Sequence, residues 1–393
     1  AAAAALRGRA GMKLPPARPP DAFREDRHLA LADRARVFGE EKLRATAQDE
    51  SHPAARTREI VSSLAGAGLL RFAVAPPHGA MDLRALVAIR EQLAYFSSLA
   101  DTAFAMQGLG SHAVSRAGTD VQKNRWLPAI AAGDLLAAFA VTEPEAGSDL
   151  AGVRTRATAD GAVWRLRGVK TFISNAGIAG MYTVLARTGE GAEHRGLSMF
   201  LVDAEAPGIA VKPLEPMAPH PLGEVRFEGT PAVLLGQESE GYRLALSTLE
   251  VFRPSVGAAA CGLAARALEE AVRWAQARRQ FGRALADFQA TQMALAEMHV
   301  DLEAARLLVR RAAWLKDRGA ERIGAEGAAA KLFATEAAQR VVDRAVQIHG
   351  GQGVMRGATV ERLYREVRAL RIYEGTSEIQ KLVIARHILK ESK

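Results

Sequence analysis

Ten residues near the carboxyl end of the chain, 371–380 (RIYEGTSEIQ), combine carboxylates, hydroxyls, an amide and an aromatic ring around one glycine. Side chains of these types transfer protons and bind polar ligands. Ser377 and Gln380 have a structural explanation, because both can cap the start of a last helix. Capping does not explain Tyr373 and Glu374. The segment is therefore a candidate site.

Two further segments place polar side chains and glycine where a plain core needs neither. Residues 139–149 (FAVTEPEAGSD) also fit a strand that ends in a capped turn, in which Thr142 and Glu145 form a capping box. Residues 170–177 (KTFISNAG) also fit an ordinary exit from a strand into a turn. Taken alone, each segment allows a structural interpretation as well as a functional one.

Other motifs do not support a function. Residues 108–113 (GLGSHA) have the spelling of a dinucleotide-binding G-x-G-x-x-A pattern, but residues 94–107 predict a helix where that pattern needs a strand. The chain has no Walker A sequence and no G-x-S-x-G. Its 9 histidines lack metal-ligand spacing, so we predict no metal site. The single cysteine, Cys261, lies in an Ala/Gly-rich helical stretch and is expected in the core.

The elements that must position the three segments follow from the period of the apolar residues. Residues 21–138 predict an N-terminal helical domain, residues 139–236 predict short strands, and residues 237–393 predict long helices. This order predicts a mainly α, α+β multidomain fold and disfavours a doubly wound sheet. The buried stripe of one bundle helix is formed by Leu295, Met298, Leu302, Ala305 and Val309.

Composition excludes several classes of protein. No uninterrupted apolar run reaches about 18 residues, so we expect no membrane span. The net charge is +8, but the arginines are spread singly along helices, so nucleic acid is not the expected partner, whereas a polyanionic cofactor or carrier is compatible. One cysteine fits a reducing compartment, the bacterial cytoplasm or the mitochondrial matrix of a eukaryote. Residues 1–20 are predicted to be disordered, as a cloning remnant or an upstream start before Met12.

In their order and separation, the three segments closely resemble the acyl-CoA dehydrogenase family. The resemblance covers residues 25–390 and includes residues 118–128, 277–282 (ARRQFG) and 347–353 (QIHGGQG). It implies a helical N-terminal domain, a central β-barrel domain and a C-terminal four-helix bundle, with FAD as the cofactor. It also implies a homodimer or homotetramer in which a neighbouring subunit supplies some FAD contacts, and an electron-transfer flavoprotein as the acceptor.

The resemblance further implies the reaction and the residues that carry it. An acyl-CoA would lose two hydrogens across its α–β bond to give trans-2-enoyl-CoA, with Glu374 as the base for the α-proton and flavin N5 as the acceptor of the β-hydride. The implied substrate contacts are Tyr373, Gly375, Arg253, Glu250 and Ser148. The implied FAD contacts are Val141, Thr142, Gly147, Ser148, Phe172, Ser174, Arg278, Phe281, Gln289, Gln347, Gly351, Thr376 and Glu378.

Two positions bear on these roles. Some members of the family carry the base immediately before the arginine that corresponds to Arg253. Phe252 stands there in this chain and cannot accept a proton, so Glu374 has no competitor. Residues 217–223 (MAPHPLG) depart from the family's usual Met-Gly-x-Arg-like stretch, because they are shorter and stiffened by proline. This loop leaves the acyl group open.

Several alternatives stay open. Glu250 and Arg253 could form an ordinary pair on a helix surface, and Arg278 could face solvent at the end of a helix. The carrier could be an acyl carrier protein instead of CoA. An acyl-CoA oxidase of the same fold would keep Glu374, and a non-catalytic flavin-fold protein would have no use for it.

Overall fold

The computed structural model describes residues 22–161, 163–189 and 194–391, so the predicted segment 1–20 lies outside the described residues. Helices come first, a sheet follows, and helices return, in the predicted order. The expectation of a mainly helical α+β fold is confirmed.

The described residues before the sheet form α1 (Asp26–Phe38), α2 (Pro53–Gly66), α3 (Leu83–Phe96), α4 (Ser98–Ala117) and α5 (Asp120–Ala132). Their ends carry local signals. The Ser97 side chain accepts the N–H of Ala100 at the start of α4, and Thr119 and Gln122 form a reciprocal capping box at the start of α5. Most of α4 is buried, so this helix can position side chains on more than one side.

The central strands are β1 (Ala137–Ala140), β2 (Arg156–Asp160), β3 (Val163–Ser174), β4 (Met181–Arg187), β5 (Leu197–Asp203), β6 (Ile209–Pro213) and β7 (Leu222–Leu235). The pairs β2–β3, β3–β7, β7–β5 and β5–β4 are antiparallel. One residue pair, Arg156 with Arg187, joins β2 to β4 and closes the ring. β1 pairs parallel to β4, and β6 pairs with β7. The closed order agrees with the barrel that the resemblance implies.

The remaining described residues form α6 (Gly241–Ala277), a hairpin of β8 (Arg279–Gln280) and β9 (Arg283–Ala284), and then α7 (Gln289–Asp317), α8 (Gly324–His349), α9 (Thr359–Arg368) and α10 (Ser377–Glu391). The stripe predicted on α7 is buried, since Met298, Leu302, Ala305 and Val309 are at most 3% exposed and Leu295 packs partly buried on the same core.

One apolar core joins the N-terminal helices to α6, α7, α8 and α9, and another fills the interior of the sheet. Cys261 lies in the first of these cores, as predicted. Residues 108–113 lie inside α4 with no strand before them, so they form no dinucleotide loop. Within the described ranges, no helix has the length and apolarity needed to cross a bilayer.

Candidate active site

A cleft of about 1060 Å³ lies where α4, the ends of β1 and β3, α6, α8 and α10 meet. Its lining brings together residues that are far apart in sequence. The residues of the predicted site that line it are Val141, Thr142, Gly147, Ser148, Phe172, Ser174, Glu250, Arg253, Glu374 and Gly375. Apolar side chains, among them Met106, Leu109, Phe139 and Leu246, complete the wall.

Glu374 lines this cleft and has one carboxylate oxygen without a hydrogen-bond partner. Its Oε2 is buried and has no hydrogen-bond partner, and its backbone has a φ of 54°. A left-handed conformation is unfavourable for a side chain of this kind, so packing must impose it. Burial raises the pKa of Glu374, because an ionised carboxylate is poorly solvated there.

Charged side chains from four helices also shift the pKa of Glu374, some downward and one upward. Arg90 on α3, Lys331 on α8 and Arg253 on α6 lower the pKa of Glu374, and Asp101 on α4 raises it. Arg90 and Asp101 form a buried bidentate ion pair, with both N–O distances 2.8 Å, and Arg90 Nη1 also donates to Ser255 Oγ at 2.6 Å. The proton affinity of Glu374 is therefore set by a buried network from distant parts of the chain.

The turn before α10 is held by side chains and not by the caps expected from sequence. Thr376 Oγ1 accepts the N–H of Ile379 at 3.4 Å and caps α10. Ser377 instead donates its hydroxyl to Glu336 at 2.6 Å. Gln380 donates to the carbonyl oxygens of Gly375 and Glu374 at 2.8 and 3.3 Å. The prediction of Ser377 and Gln380 as the caps was wrong, since both side chains are used across the turn.

The ends of β1 and β3 are joined by a buried ion pair. Lys170 Nζ donates to Val141 O at 2.9 Å and to Glu143 Oε1 at 2.8 Å. The Glu143 carboxylate also accepts the N–H groups of Arg154 and Thr155 at 2.7 and 2.8 Å. Burial lowers the pKa of Lys170 to about 8. These bonds fix the backbone of Val141 at the cleft wall.

Phe172 and Ser174 enter the cleft because β3 is irregular at its end. The register with β7 shifts between Lys170 and Ile173, and Phe172 has a φ of 55°. The Phe172 ring is left 66% exposed. Ser174 Oγ lies 3.5 Å from His220 Nε2, in the loop that departs from the family pattern.

The opposite wall carries Glu250 and Arg253. Glu250 Oε1 accepts the N–H of Ile323 at 2.8 Å, at the start of α8, so it does not form the surface pair with Arg253 that was the alternative. Arg253 is buried, and its Nε has no hydrogen-bond partner. Arg322, Arg386 and Lys390 add positive charge to the lining.

The other predicted contacts do not line the cleft of their own chain. Thr376 and Glu378 belong to the turn and the first residues of α10, and Tyr373 lies outside the lining, half-exposed. Phe281, on the β8–β9 hairpin, is 93% exposed. The remaining exposed residues of the predicted FAD set, all near the ends of bundle helices, are Arg278, Gln289, Gln347 and Gly351.

Sequence reasoning missed Lys331 and Arg90. A signal for Lys331 was available, because it falls on the 3-4 spacing of the buried residues Ala334, Ala338 and Val341. Arg90 likewise falls on the buried face of α3. A charged residue on an apolar stripe indicates a buried partner, but its identity requires the tertiary structure.

The residues that line the cleft are of the types needed to bind a flavin. Phe172, which has an exposed aromatic ring and a left-handed backbone, lines the same cleft as Val141, Thr142 and Ser174. Glu374, whose Oε2 has no hydrogen-bond partner, also lines it. Sites for cofactors are concave and mostly apolar, with few placed polar groups, and this cleft has that character. Among the described residues, no group of His, Cys, Asp and Glu has the arrangement of a metal site.

Family comparisons agree with the geometry. Residues 25–134, 138–230 and 239–389 match the N-terminal, middle and C-terminal domains of acyl-CoA dehydrogenase. A 3-(aryl)acrylate reductase from Clostridium sporogenes is 38% identical over 378 residues, which cover 94% of this chain and 100% of the relative.

Solved structures give the same result. Butyryl-CoA dehydrogenase from Megasphaera elsdenii aligns with a TM-score of 0.88 and 32% identity, over 94% of this chain and 100% of that one. A chain from the structure of the electron transferring flavoprotein of Acidaminococcus fermentans aligns with a TM-score of 0.90 and 32% identity, over 94% and 99%. The chain therefore belongs to the acyl-CoA dehydrogenase family, whose members are FAD-dependent oxidoreductases.

Proposed function

We propose that this enzyme dehydrogenates an acyl-CoA thioester to its trans-2-enoyl-CoA, with Glu374 as the base that takes the α-proton. The observation that carries the proposal is the Glu374 Oε2 atom, which is buried, has no hydrogen-bond partner and belongs to a residue that lines the cleft. Such an atom is a proton acceptor that desolvation makes more basic.

The chemistry explains why the site is built this way. A proton next to a thioester is only weakly acidic, so its removal needs a base of raised pKa and hydrogen bonds to the carbonyl oxygen as negative charge develops. Burial raises the pKa of Glu374, and its backbone N–H would donate to the thioester carbonyl. Phe252 is buried in the core, so no second carboxylate competes from that position.

Residues on the sheet side of the cleft would hold FAD. Val141 and Thr142 offer backbone and hydroxyl groups, Phe172 offers its ring face and Ser174 offers a hydroxyl. FAD, when bound there, supplies the acceptor for the β-hydride. Tyr373, Gly375, Ser148, Glu250 and Arg253 would contact the substrate on the other side. Glu374 would take the α-proton, and the electron pair of the broken Cα–H bond would form the second bond of C=C. The β-hydrogen would leave with its own electron pair to the bound FAD, so atoms and electrons balance.

The exposed residues of the predicted FAD set would bind the FAD that lies in the cleft of a second copy of the chain. Arg278 would make charge-assisted contacts to phosphate, with Phe281, Gln289, Gln347 and Gly351 around it. Thr376 and Glu378 would contact FAD from the turn before α10. An electron-transfer flavoprotein would be the physiological acceptor, in line with the Acidaminococcus fermentans match.

The test is anaerobic bleaching of the bound FAD by straight, branched and aromatic acyl-CoAs. We expect at least one to bleach the wild type, a loss of at least about a thousandfold in Glu374→Gln, and no change in the control Glu59→Gln, an exposed carboxylate on α2. A yellow Glu374→Gln enzyme that still bleaches would overturn the mechanism. No bleaching of the wild type by any acyl-CoA would overturn the reaction, and hydrogen peroxide formed in air would identify an oxidase.

The reverse direction is a second candidate, favoured by the Clostridium sporogenes relative named as a reductase. The same geometry serves it, because Glu374 in its protonated form can donate to the α-carbon. Measuring the rate with enoyl-CoA and the reduced enzyme, against the rate with acyl-CoA and the oxidised enzyme, separates the two directions.

A further inference from the structure

Lys331, on α8, is a buried cation held by the turn that carries Glu374. Its side chain is 0% exposed, and its Nζ donates to the carbonyl oxygen of Gly375 at 2.8 Å. That hydrogen-bond partner is a neutral backbone group. Burying a charge without a direct ion pair is costly, so the contact must bring something that an apolar side chain could not.

The carbonyl of Gly375 is a point where two elements converge. Gln380, also 0% exposed, donates to the same oxygen at 2.8 Å from the first turn of α10. Glu374 and Gly375 both have left-handed backbones, with φ values of 54° and 95°. For a glutamate this conformation is strained and persists only where the surroundings hold it. The two donors supply that hold from α8 and from α10.

We propose that Lys331 is a positioning residue for the base, whose ammonium clamps the Gly375 carbonyl and so keeps the Glu374 carboxylate turned into the cleft. The inference rests on the proposed function only in taking Glu374 as the base. Lys331 is not part of the cleft lining, and its hydrogen bond goes to the backbone carbonyl of Gly375, so it acts through the turn.

Its charge gives the clamp a second effect. The groups that face Glu374 are Arg90 from α3, Asp101 from α4, Arg253 from α6 and Lys331 from α8, with the Tyr373 hydroxyl beside it. Burial lowers the pKa of Lys331 to about 8, Glu374, Glu336 and Glu378 act to raise it, and Arg253 lowers it further. At neutral pH Lys331 is thus largely protonated and favours the ionised form of Glu374.

Two variants separate position from charge. Lys331→Met removes the donor and the charge with little change of shape, and it spares the fold the cost of a buried cation. Gln380→Leu removes a neutral donor to the same carbonyl. The measured quantity is exchange of the α-protons for deuterium in a CoA thioester that has sulfur in place of its β-carbon, followed on the holoenzyme across pH. Such a thioester can lose its α-proton but has no β-hydride to give.

Without the positive charge the pKa of Glu374 rises, so the rising limb of the exchange profile in Lys331→Met is expected about one unit higher in pH. Below the limb this shift alone makes the exchange about tenfold slower. The plateau above the limb should also fall, because the base is displaced. Gln380→Leu is expected to lower the rate with the limb unmoved. Affinity for the thioester should stay within about twofold in both. If the rising limb of the pH profile does not move in Lys331→Met, the claim that the charge of Lys331 lowers the pKa of Glu374 is overturned.

A crystal structure of Lys331→Met tests the clamp without any catalysis. We expect the Gly375 carbonyl to rotate and the Glu374 carboxylate to leave the cleft wall. An unchanged turn overturns the inference even if the enzyme is slow. Conversely, if the wild type exchanges no α-proton, the proposed function fails, while the crystal structure still decides whether Lys331 positions residue 374.

Discussion

Asp101 shows how a residue outside the cleft lining can tune the base. Its carboxylate neutralises Arg90 in a buried ion pair, and it raises the pKa of Glu374 while Arg90 lowers it. Asp101 therefore offsets part of the effect of Arg90 on the pKa of Glu374, and burial, the largest cause, decides the direction of the shift. Changing either partner leaves the other charge uncompensated in a low-dielectric site.

Asp101→Asn should move the pH profile in the opposite direction from Lys331→Met. Loss of the negative charge lowers the pKa of Glu374, so the rising limb of flavin reduction is expected at lower pH. The unpaired Arg90 should also cost about 3 kcal/mol of the free energy of unfolding. Both are measurable, by stopped-flow reduction across pH and by urea denaturation.

The control is Asp203→Asn, which breaks the exposed pair with Arg125, whose N–O distance is 2.9 Å. Exposed pairs contribute at most about 1 kcal/mol, and this one should leave the pH profile where it is. Equal losses of stability in Asp101→Asn and Asp203→Asn would contradict the buried network.

At the scale of elements, α4 is the helix on which the site depends, and its glycines are there for close packing. A Cβ on Gly110 would lie 2.5 Å from Ala137 Cβ and 2.9 Å from the backbone nitrogen of Ala138, on β1. A Cβ on Gly108 would meet the Phe252 ring at 2.6 Å. These glycines allow α4 to approach both β1 and α6, and β1 leads directly into Val141 and Thr142.

Gly110→Ala is expected to lower the free energy of unfolding by about 1–3 kcal/mol, because the neighbouring backbone of β1 must move. The same movement should weaken FAD binding, which ultrafiltration of the yellow protein measures. Gly66→Ala is the matched control, since nothing lies within 4 Å of a Cβ there. It should be neutral or stabilising by up to about 1 kcal/mol. Similar losses in both variants would refute the packing argument.

At the scale of the whole molecule, one face of the bundle exposes a row of large apolar side chains. Met293, Val300 and Leu307 repeat every seven residues on α7 and are 61%, 65% and 54% exposed. A groove of about 570 Å³ runs beside Val300, between α7 and α8. The exposed residues of the predicted FAD set lie at or near the ends of helices of the same bundle; they are Arg278, Phe281, Gln289, Gln347 and Gly351. A second copy of the chain would cover this face, and these residues would complete the FAD site in the cleft of that second copy.

Val300→Glu should therefore shift the protein to a smaller assembly, because a buried unpaired carboxylate disfavours the interface. Light scattering after size-exclusion chromatography measures the mass, and the FAD content of each peak shows whether assembly and cofactor binding are coupled. Val37→Glu, at a residue of α1 that is 54% exposed, is the control and should leave the mass unchanged. An intact assembly in Val300→Glu would place the interface elsewhere.

The order of helices, strands and helices could be read from the sequence alone, and so could the three candidate segments whose residues line the cleft. Apolar periods report which face of an element is buried, and this information is local. The stripe on α7, the short strands within residues 139–236 and the burial of Cys261 were predictable for that reason. Glu374 was a candidate because capping could not explain it, and its proposed role as the base follows from the family resemblance.

The surroundings of Glu374 could not be read from the sequence and required the folded structure. Arg90, Asp101, Arg253 and Lys331 come from four helices, and electrostatic coupling between them depends on distance in space and on burial, neither of which is written in local spacing. The roles of Ser377 and Gln380 were mistaken for the same reason, since their partners, Glu336 and the Gly375 carbonyl, are set by how α8 packs against the turn.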